Sequence, residues 1–394
     1  MRLFILLLVS FLTTINVLCG QKSFRLESKV RFRTAAELRS YHEEKKKLHK
    51  NYIPNYPDSP ILSLITVGTP SVDYSVAIET GEESLWLLDK SYPGRNTNQP
   101  YYDANQSSTA QLLDSYFGFS GNFEVSGDLY EDMLGILGFP QSAVTNFGVV
   151  KRVFDPYLND PEVPSGVLGL SWNPADKDNL TASAAPILHL FSQFGSSDRF
   201  FVQWLQDVTD AAEGREYSMW TQFGANLDGM CEEDYITAPL TYDESMYSLK
   251  FTLDSFSFSG QVYDGGDAKL DTGVPTILLP YDTFQDIYTL INPSYNYDLG
   301  IYEVECDQFV LLDDFVFIIS KQKFAVPSTT YVVDLLLGDG MCAVAFDYSD
   351  YFTTPYVLGT PFHWEYCLKM DIDNTEIGFS KVVKHEPTYV PETV

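Results

Sequence analysis

Two short stretches carry residues that could do chemistry together. In "VAIETGEESLWLL" (76–88) an apolar run meets Glu79, then Thr80 and Gly81. In "AKLDTGVPTILLP" (268–280) the same order leads to Asp271, Thr272 and Gly273. A strand ending in carboxylate-Thr-Gly fixes the backbone of the acid, and the glycine allows a tight turn or the close approach of another chain. Two such turns face to face would hold two carboxyl groups within hydrogen-bonding distance. Both cannot ionise cheaply, so they share one proton. One carboxyl then activates a water while the other protonates a substrate carbonyl, which is hydrolytic acid–base chemistry. Glu79 has the longer arm: an added methylene moves its carboxylate by ~1.5 Å, and a misplacement of about 1 Å costs on the order of a hundredfold in rate.

Other chemistries lack their residues. No GxSxG, HExxH or GxxxxGK[ST] pattern occurs. The five histidines, His42, His49, His189, His363 and His385, show no metal spacing. His189, on a helix face, and His363, near a strand, read as structural. "DIDNTE" (371–376) lacks the glycine of a calcium loop and continues into "IGF", so it reads as a hairpin turn. No metal and no cofactor is expected.

The elements that must position the two turns are mainly strands. Short runs rich in Val, Ile, Phe, Tyr and Thr alternate with Gly, Pro, Asn and Asp, as in "ILSLITVG", "FTLDSFSFSG", "DDFVFIIS" and "TTYVVDLLL". Helical spacing occurs in "APILHLFSQFG" (184–194) and "YDTFQDIYTLI" (281–291). Two Leu-Gly motifs accompany the Thr-Gly motifs: "SGVLGL" (165–170) and "PYVLGT" (355–360). Gly81 precedes Gly169 by 88 residues and Gly273 precedes Gly359 by 86. The same signals in the same order at matched spacing predict two similar lobes, each bringing one turn to a shared centre.

The 394 residues suffice for two or three units. Residues 1–20 have one basic residue, an apolar run and small residues near the end, and read as a secretory signal peptide. Residues 21–50 hold ten basic and four acidic residues, whereas 51–394 hold 14 basic and 50 acidic ones. A body this acidic repels nucleic acid and anionic membrane, and the basic segment is expected to cover it. Within that segment "TAAELRSYHEEKKKLHK" is helix-like, with Thr34 and Glu37 forming a capping box, and the Pro-rich 51–60 marks a boundary. Beyond the signal four cysteines remain: Cys231, Cys306, Cys342 and Cys367. Their even number in a secreted chain suggests two disulfides, with three connectivities open, and no CxxC spacing favours zinc. Sequons stand at Asn105 and Asn179.

Taken together, "ITVGTPSVDYSVAIETG", with Leu85 and Trp86 following, "PYYDANQSSTAQ", "SGVLGLSW", "KLDTG", "YEVEC", "FAVPSTTYVV" and "YVLGTPFHWEYCLKMDIDNTEIGFSKV" resemble, in order and spacing, a secreted pepsin-like aspartic peptidase of the A1 type. Aspartic proteases are the type case of the shared-proton carboxyl pair. The resemblance covers nearly the whole chain. It implies an all-β bilobal fold, with an N-terminal lobe over 56–222, a C-terminal lobe over 223–394, and a cleft between them above a central sheet. It implies catalytic roles for Asp271 and position 79, where the family's Asp is Glu79, and supporting roles for Thr80, Gly81, Thr272, Gly273 and Trp86. The family's steadying Ser or Thr after each Gly is here Glu82 and Val274. Neither can serve: an ionised Glu82 only accepts and would repel the pair, and Val274 cannot donate. A flap tyrosine-glycine maps to Ser120 and Gly121, with Phe119 or Phe123 as substitutes for the ring. The resemblance implies a Cys306–Cys342 bridge, which leaves Cys231 and Cys367 to pair. It makes 21–55 a basic pro-like segment, with Lys45, Lys46 and Lys47 as candidates to meet the carboxylates.

Two functions follow. One is a secreted acid endopeptidase whose Glu79/Asp271 pair is impaired or lost. The other is a non-catalytic pseudoprotease that binds peptide or protein in the cleft. In either case the expected partners are a peptide or protein and the chain's own pro-segment, without nucleic acid or membrane, in a monomer. The expected location is secreted or an acidic endomembrane compartment.

Overall fold

The computed structural model describes residues 23–31, 39, 61–93, 100–120, 124–136, 142–153, 164–178, 180, 184–194, 198–206, 216–245, 247–334, 340–349 and 354–383. Strands dominate and form sheets of thirteen, eight and four strands. Alternation explains them locally. In Phe315–Ile319 the side chains of Phe315, Phe317 and Ile319 are fully buried, while Val316 and Ile318 are half-buried. Helices form at Pro186–Phe194 and Tyr281–Ile291, where the helical spacing placed them. The latter buries Phe284, Ile287 and Ile291 on one stripe.

The thirteen-stranded sheet joins the two halves of the chain. Its second-half strands Ile236–Pro239, Glu376–Lys381 and Tyr366–Asp371 lead to Phe200–Leu205, Glu216–Phe223 and Phe24–Arg31, and then to the first-lobe strands from Leu62–Val67 onward. The expected lobe boundary at 222/223 thus falls in the strand Glu216–Phe223, inside the shared sheet. Part of the basic segment is also inside it. Phe24–Arg31 pairs antiparallel with Glu216–Phe223 over its whole length, and its Lys29 pairs with Leu62 on the other side. Phe24 and Leu26 point into the core, and the Phe24 ring stacks on Phe223 at 4.3 Å. The signal peptide (1–20) and Lys45, Lys46 and Lys47 lie outside the described residues. So does the helix expected from 34 onward, apart from Arg39, which is helical.

"TTYVVDLLL" does not form the expected continuous strand. Ser328–Tyr331 is a helical turn, followed by the two-residue strand Val332–Val333. Pro327 ends the preceding strand, because it has no N–H to give to a ladder. The turn swings Tyr331 into the core, where its ring stacks on Phe315 at 4.2 Å and its hydroxyl donates to the Asp313 carbonyl. "DIDNTE" is the turn of the hairpin Tyr366–Asp371/Glu376–Lys381, with Asn374 N–H donating to Asp371.

Two disulfides form, Cys231–Cys367 and Cys306–Cys342, both in the second half of the chain. The first sits in a small cluster with Val202, Leu227 and Val382 on the shared sheet. The second ties Cys306, just after the strand Ile301–Glu305, to Cys342 within its paired strand Met341–Val344.

Candidate active site

Each lobe builds its turn in the same way. In the first, Val72–Glu79 runs parallel to Gly166–Gly169, with Glu79 opposite Gly169, and Leu85–Leu88 lies antiparallel on the other side of Gly166–Gly169. In the second, Gln261–Leu270 runs parallel to Tyr356–Leu358, and Ile277–Leu279 lies antiparallel to that same strand. The Leu-Gly motifs are where the chain crosses beneath each turn. A Cβ on Gly169 would come within 2.5 Å of the Glu82 carbonyl oxygen, and one on Gly359 within 2.2 Å of the carbonyl oxygens of both Val274 and Thr276. Only a residue without a side chain fits such an approach. The matched spacing of the two motif pairs has this physical cause.

The two turns meet through their threonines. Thr80 N–H donates to Thr272 Oγ1 at 3.1 Å, and Thr272 N–H donates to Thr80 Oγ1 at 3.1 Å. Each hydroxyl then donates onward: Thr80 to the Leu270 carbonyl at 3.1 Å and Thr272 to the Ile78 carbonyl at 2.9 Å. These four bonds cross between sequence positions about 190 apart and clamp the backbone on either side of both carboxylates. Gly273 N–H donates to Asp271 Oδ1 at 3.0 Å. Gly81 lies directly against the Asp271 carboxyl, since a Cβ there would sit 2.2 Å from Oδ2. Glu79, Glu82 and Asp271 are all buried, at 4%, 0% and 0% exposure. Trp86 is fully buried two strands from the turn.

The charges around the pair hold a group that the pattern of carboxylates and glycines did not bring out. Lys269 is 1% exposed, and its Nζ lies 2.9 Å from Asp271 Oδ2. The signal was present in "AKLDTG": residues two apart on a strand share a face, so a lysine there points the way Asp271 does. His363, in the helix Thr360–Glu365, is also buried, and the Asp271 charge acts on it. Burial pushes its pKa down to about 3 despite that carboxylate, so the imidazole is neutral. Tyr242 donates to Glu83 Oε2 at 2.7 Å across the lobes. Burial pushes Glu83 up to about 7, the Tyr242 bond opposes the rise, and the charge of Asp176 adds to it. Ser171 Oγ accepts from Leu249 N–H at 3.1 Å and adds a further cross-lobe tie.

The other expected site residues are scattered. Ser120 ends the strand Gln111–Ser120, paired with Glu124 of Glu124–Ile136, so a hairpin exists where the flap was expected. Gly121 and Phe123 lie outside the described residues, as do the side chains of Phe119 and Ser120. Asn105 is exposed on a single 3-10 turn, and Asn179 lies outside the described residues. His189 sits half-buried on the helix Pro186–Phe194. Among the described residues the only potential metal-ligating group is Cys306, Asp334 and Cys342. Both of its cysteines are committed to the Cys306–Cys342 disulfide.

Comparison with known proteins agrees with this arrangement. Aspartic protease 17 of Caenorhabditis elegans is 28% identical over 340 residues, covering 83% of this chain and 84% of its own length. Rhizopuspepsin-3 of Rhizopus niveus is 27% identical over 310 residues, covering 76% and 74%. Pepsin A of Bos taurus is 23% identical over 352 residues, covering 84% and 86%. Residues 62–382, from the first lobe strand to the last strand of the shared sheet, match the family described as eukaryotic aspartyl protease, and the chain belongs to that family.

Proposed function

We propose that this chain is a secreted pepsin-like protein whose cleft takes peptide, and whose Glu79/Asp271 pair hydrolyses it poorly or not at all. The observation that carries this reading is Glu79 on a clamped backbone. The Thr80–Thr272 bonds fix the residues beside each acid, and Gly81 already touches the Asp271 carboxyl. The backbone therefore has no slack to absorb the extra methylene of Glu79. The side chain must fold up to keep its carboxyl in place, and a displacement of about 1 Å costs on the order of a hundredfold.

In an active pair, one carboxylate takes a proton from water, the water oxygen bonds to the peptide carbonyl carbon, and the other carboxyl gives its proton to the carbonyl oxygen. Collapse breaks the C–N bond, and the amine leaves with a proton. Preorganisation of that sequence needs the outer carboxylate oxygens held by hydroxyls, and Glu82 and Val274 stand in those places. The basic stretch 21–55 is read as a pro-like segment and 1–20 as a signal, which sends the chain to the secretory route. No helix among the described residues is long and apolar enough to cross a membrane.

The test is digestion of a denatured protein at pH 3–5 by wild type, Asp271→Ala and Glu79→Asp. We expect cleavage by wild type at or only slightly above the Asp271→Ala background. Extensive cleavage by wild type that Asp271→Ala abolishes overturns the reading.

A further inference from the structure

The buried cation beside Asp271 has a role of its own. Lys269 lies on the strand Gln261–Leu270, one register pair from its end, opposite Val357. Its side chain is 2% exposed and that of Asp271 is 0%. A lysine normally carries its charge to water on a flexible stem. Here the ammonium remains inside, 2.9 Å from Asp271 Oδ2. The lobe symmetry shows that the strand does not require it. The position two residues before Glu79 in the first lobe is Ala77, buried and apolar. The charged and titratable groups near this centre come from four elements: Glu79 from the first strand, Glu82 from the loop after it, Asp271 from the second turn, and His363 from the helix Thr360–Glu365. His363 is neutral there, which leaves Lys269 as the fixed positive charge among these residues.

A working carboxyl pair needs one proton shared between two acids, and that proton must move to the substrate and back. An ammonium on Asp271 Oδ2 supplies the positive charge in place of that proton, but holds it on a nitrogen that gives up protons far less readily than a carboxyl does. We propose that Lys269 is the resident counter-ion of Asp271 and a second block on hydrolysis, independent of Glu79, so that a peptide entering the cleft is held beside a neutralised centre. The proposal rests on the reading of Glu79 and Asp271 as the family's carboxyl pair.

The test compares wild type with Lys269→Met, Lys269→Arg, Glu79→Asp and Glu79→Asp/Lys269→Met, with folding followed by thermal unfolding. The first readout is calorimetric binding of a statine-containing peptide, whose hydroxyl reaches for the carboxyl pair, at pH 4 and pH 7. Lys269→Met is expected to bind it on the order of tenfold tighter than wild type at pH 4, with most of that gain gone at pH 7. Lys269→Arg, which keeps the charge, is expected to match wild type. The second readout is peptide hydrolysis, expected from the double variant and not from Glu79→Asp alone. Unchanged statine-peptide affinity in folded Lys269→Met, or hydrolysis by Glu79→Asp equal to that of the double variant, overturns the proposal. If methionine prevents folding, Lys269→Gln keeps a donor to Oδ2 without the charge, and the same affinity gain is required of it. Hydrolysis by wild type at the rate of the double variant overturns both the impaired-pair reading and the block by Lys269, whereas unchanged statine-peptide affinity with no wild-type hydrolysis overturns the Lys269 proposal alone.

Discussion

Glu79, Lys269 and His363 stand around the point where the two turns meet. The threonine bonds and glycine contacts are those of two turns brought face to face, and a glutamate, a buried lysine beside Asp271 and a neutral, buried histidine surround that centre. His363 also makes stability acid-sensitive. Its pKa is about 3 in the folded chain against 6.5 as the ordinary value. The unfolded state therefore binds more protons between those limits, and stability falls as pH drops from 6.5 toward 3, by up to about 1.4 kcal/mol per pH unit. His363→Leu is expected to flatten this decline, which thermal unfolding at pH 4, 5 and 7 would measure. An unchanged pH slope would show that the histidine is not the group responsible.

Secondary elements set the geometry through close backbone approaches. Gly169 and Gly359 lie where one strand passes under each turn, and in both places an added methyl meets carbonyl oxygens at 2.5 Å or less. Gly359→Ala is expected to destabilise the protein by about 3 kcal/mol, because backbone, unlike a flexible side chain, cannot step aside. Gly266→Ala is the control: its Cβ would meet only Tyr356 and Pro355 side chains at ordinary contact distances, 3.8 Å and beyond. That change is expected to be neutral to within about 0.5 kcal/mol. Chemical denaturation of both variants, with equal losses, would remove the packing explanation of the repeat.

The whole molecule is held as one body by the shared sheet, the threonine clamp and the Tyr242–Glu83 contact. The last of these responds to pH. Glu83 titrates near 7 when folded against 4.5 as the ordinary value. Its raised pKa contributes stability that is fully present below 4.5 and is lost as pH rises through 7, which is opposite in sign to His363. Glu83→Gln keeps an acceptor for Tyr242 without a titrating group. Its stability relative to wild type is therefore expected to increase as pH rises from 5 to 7, whatever the net slope set by His363. A difference between Glu83→Gln and wild type that stays constant between pH 5 and 7 would refute the role of Glu83.

Much of this was readable in the chain as written. Carboxylate-Thr-Gly and Leu-Gly at matched intervals specified two lobes and a common centre, because a tight turn and a close crossing can be made only by glycine wherever they occur. The helices at 186–194 and 281–291 and the hairpin at 371–376 were visible because their signals are local: apolar spacing and turn residues. Local signals failed at Thr329–Tyr331, where a β-branched run became a helical turn because Tyr331 fills a hole next to Phe315 that no neighbour in sequence reveals. They also could not show that Phe24–Arg31, in a basic stretch, is an interior strand, since its partner Glu216–Phe223 lies far along the chain. The charge at the centre belonged to tertiary structure as well. Lys269 stands two positions before Asp271 in any reading, but whether a lysine reaches water or remains buried against a carboxylate depends on what packs around it, and folding leaves this one buried against Asp271.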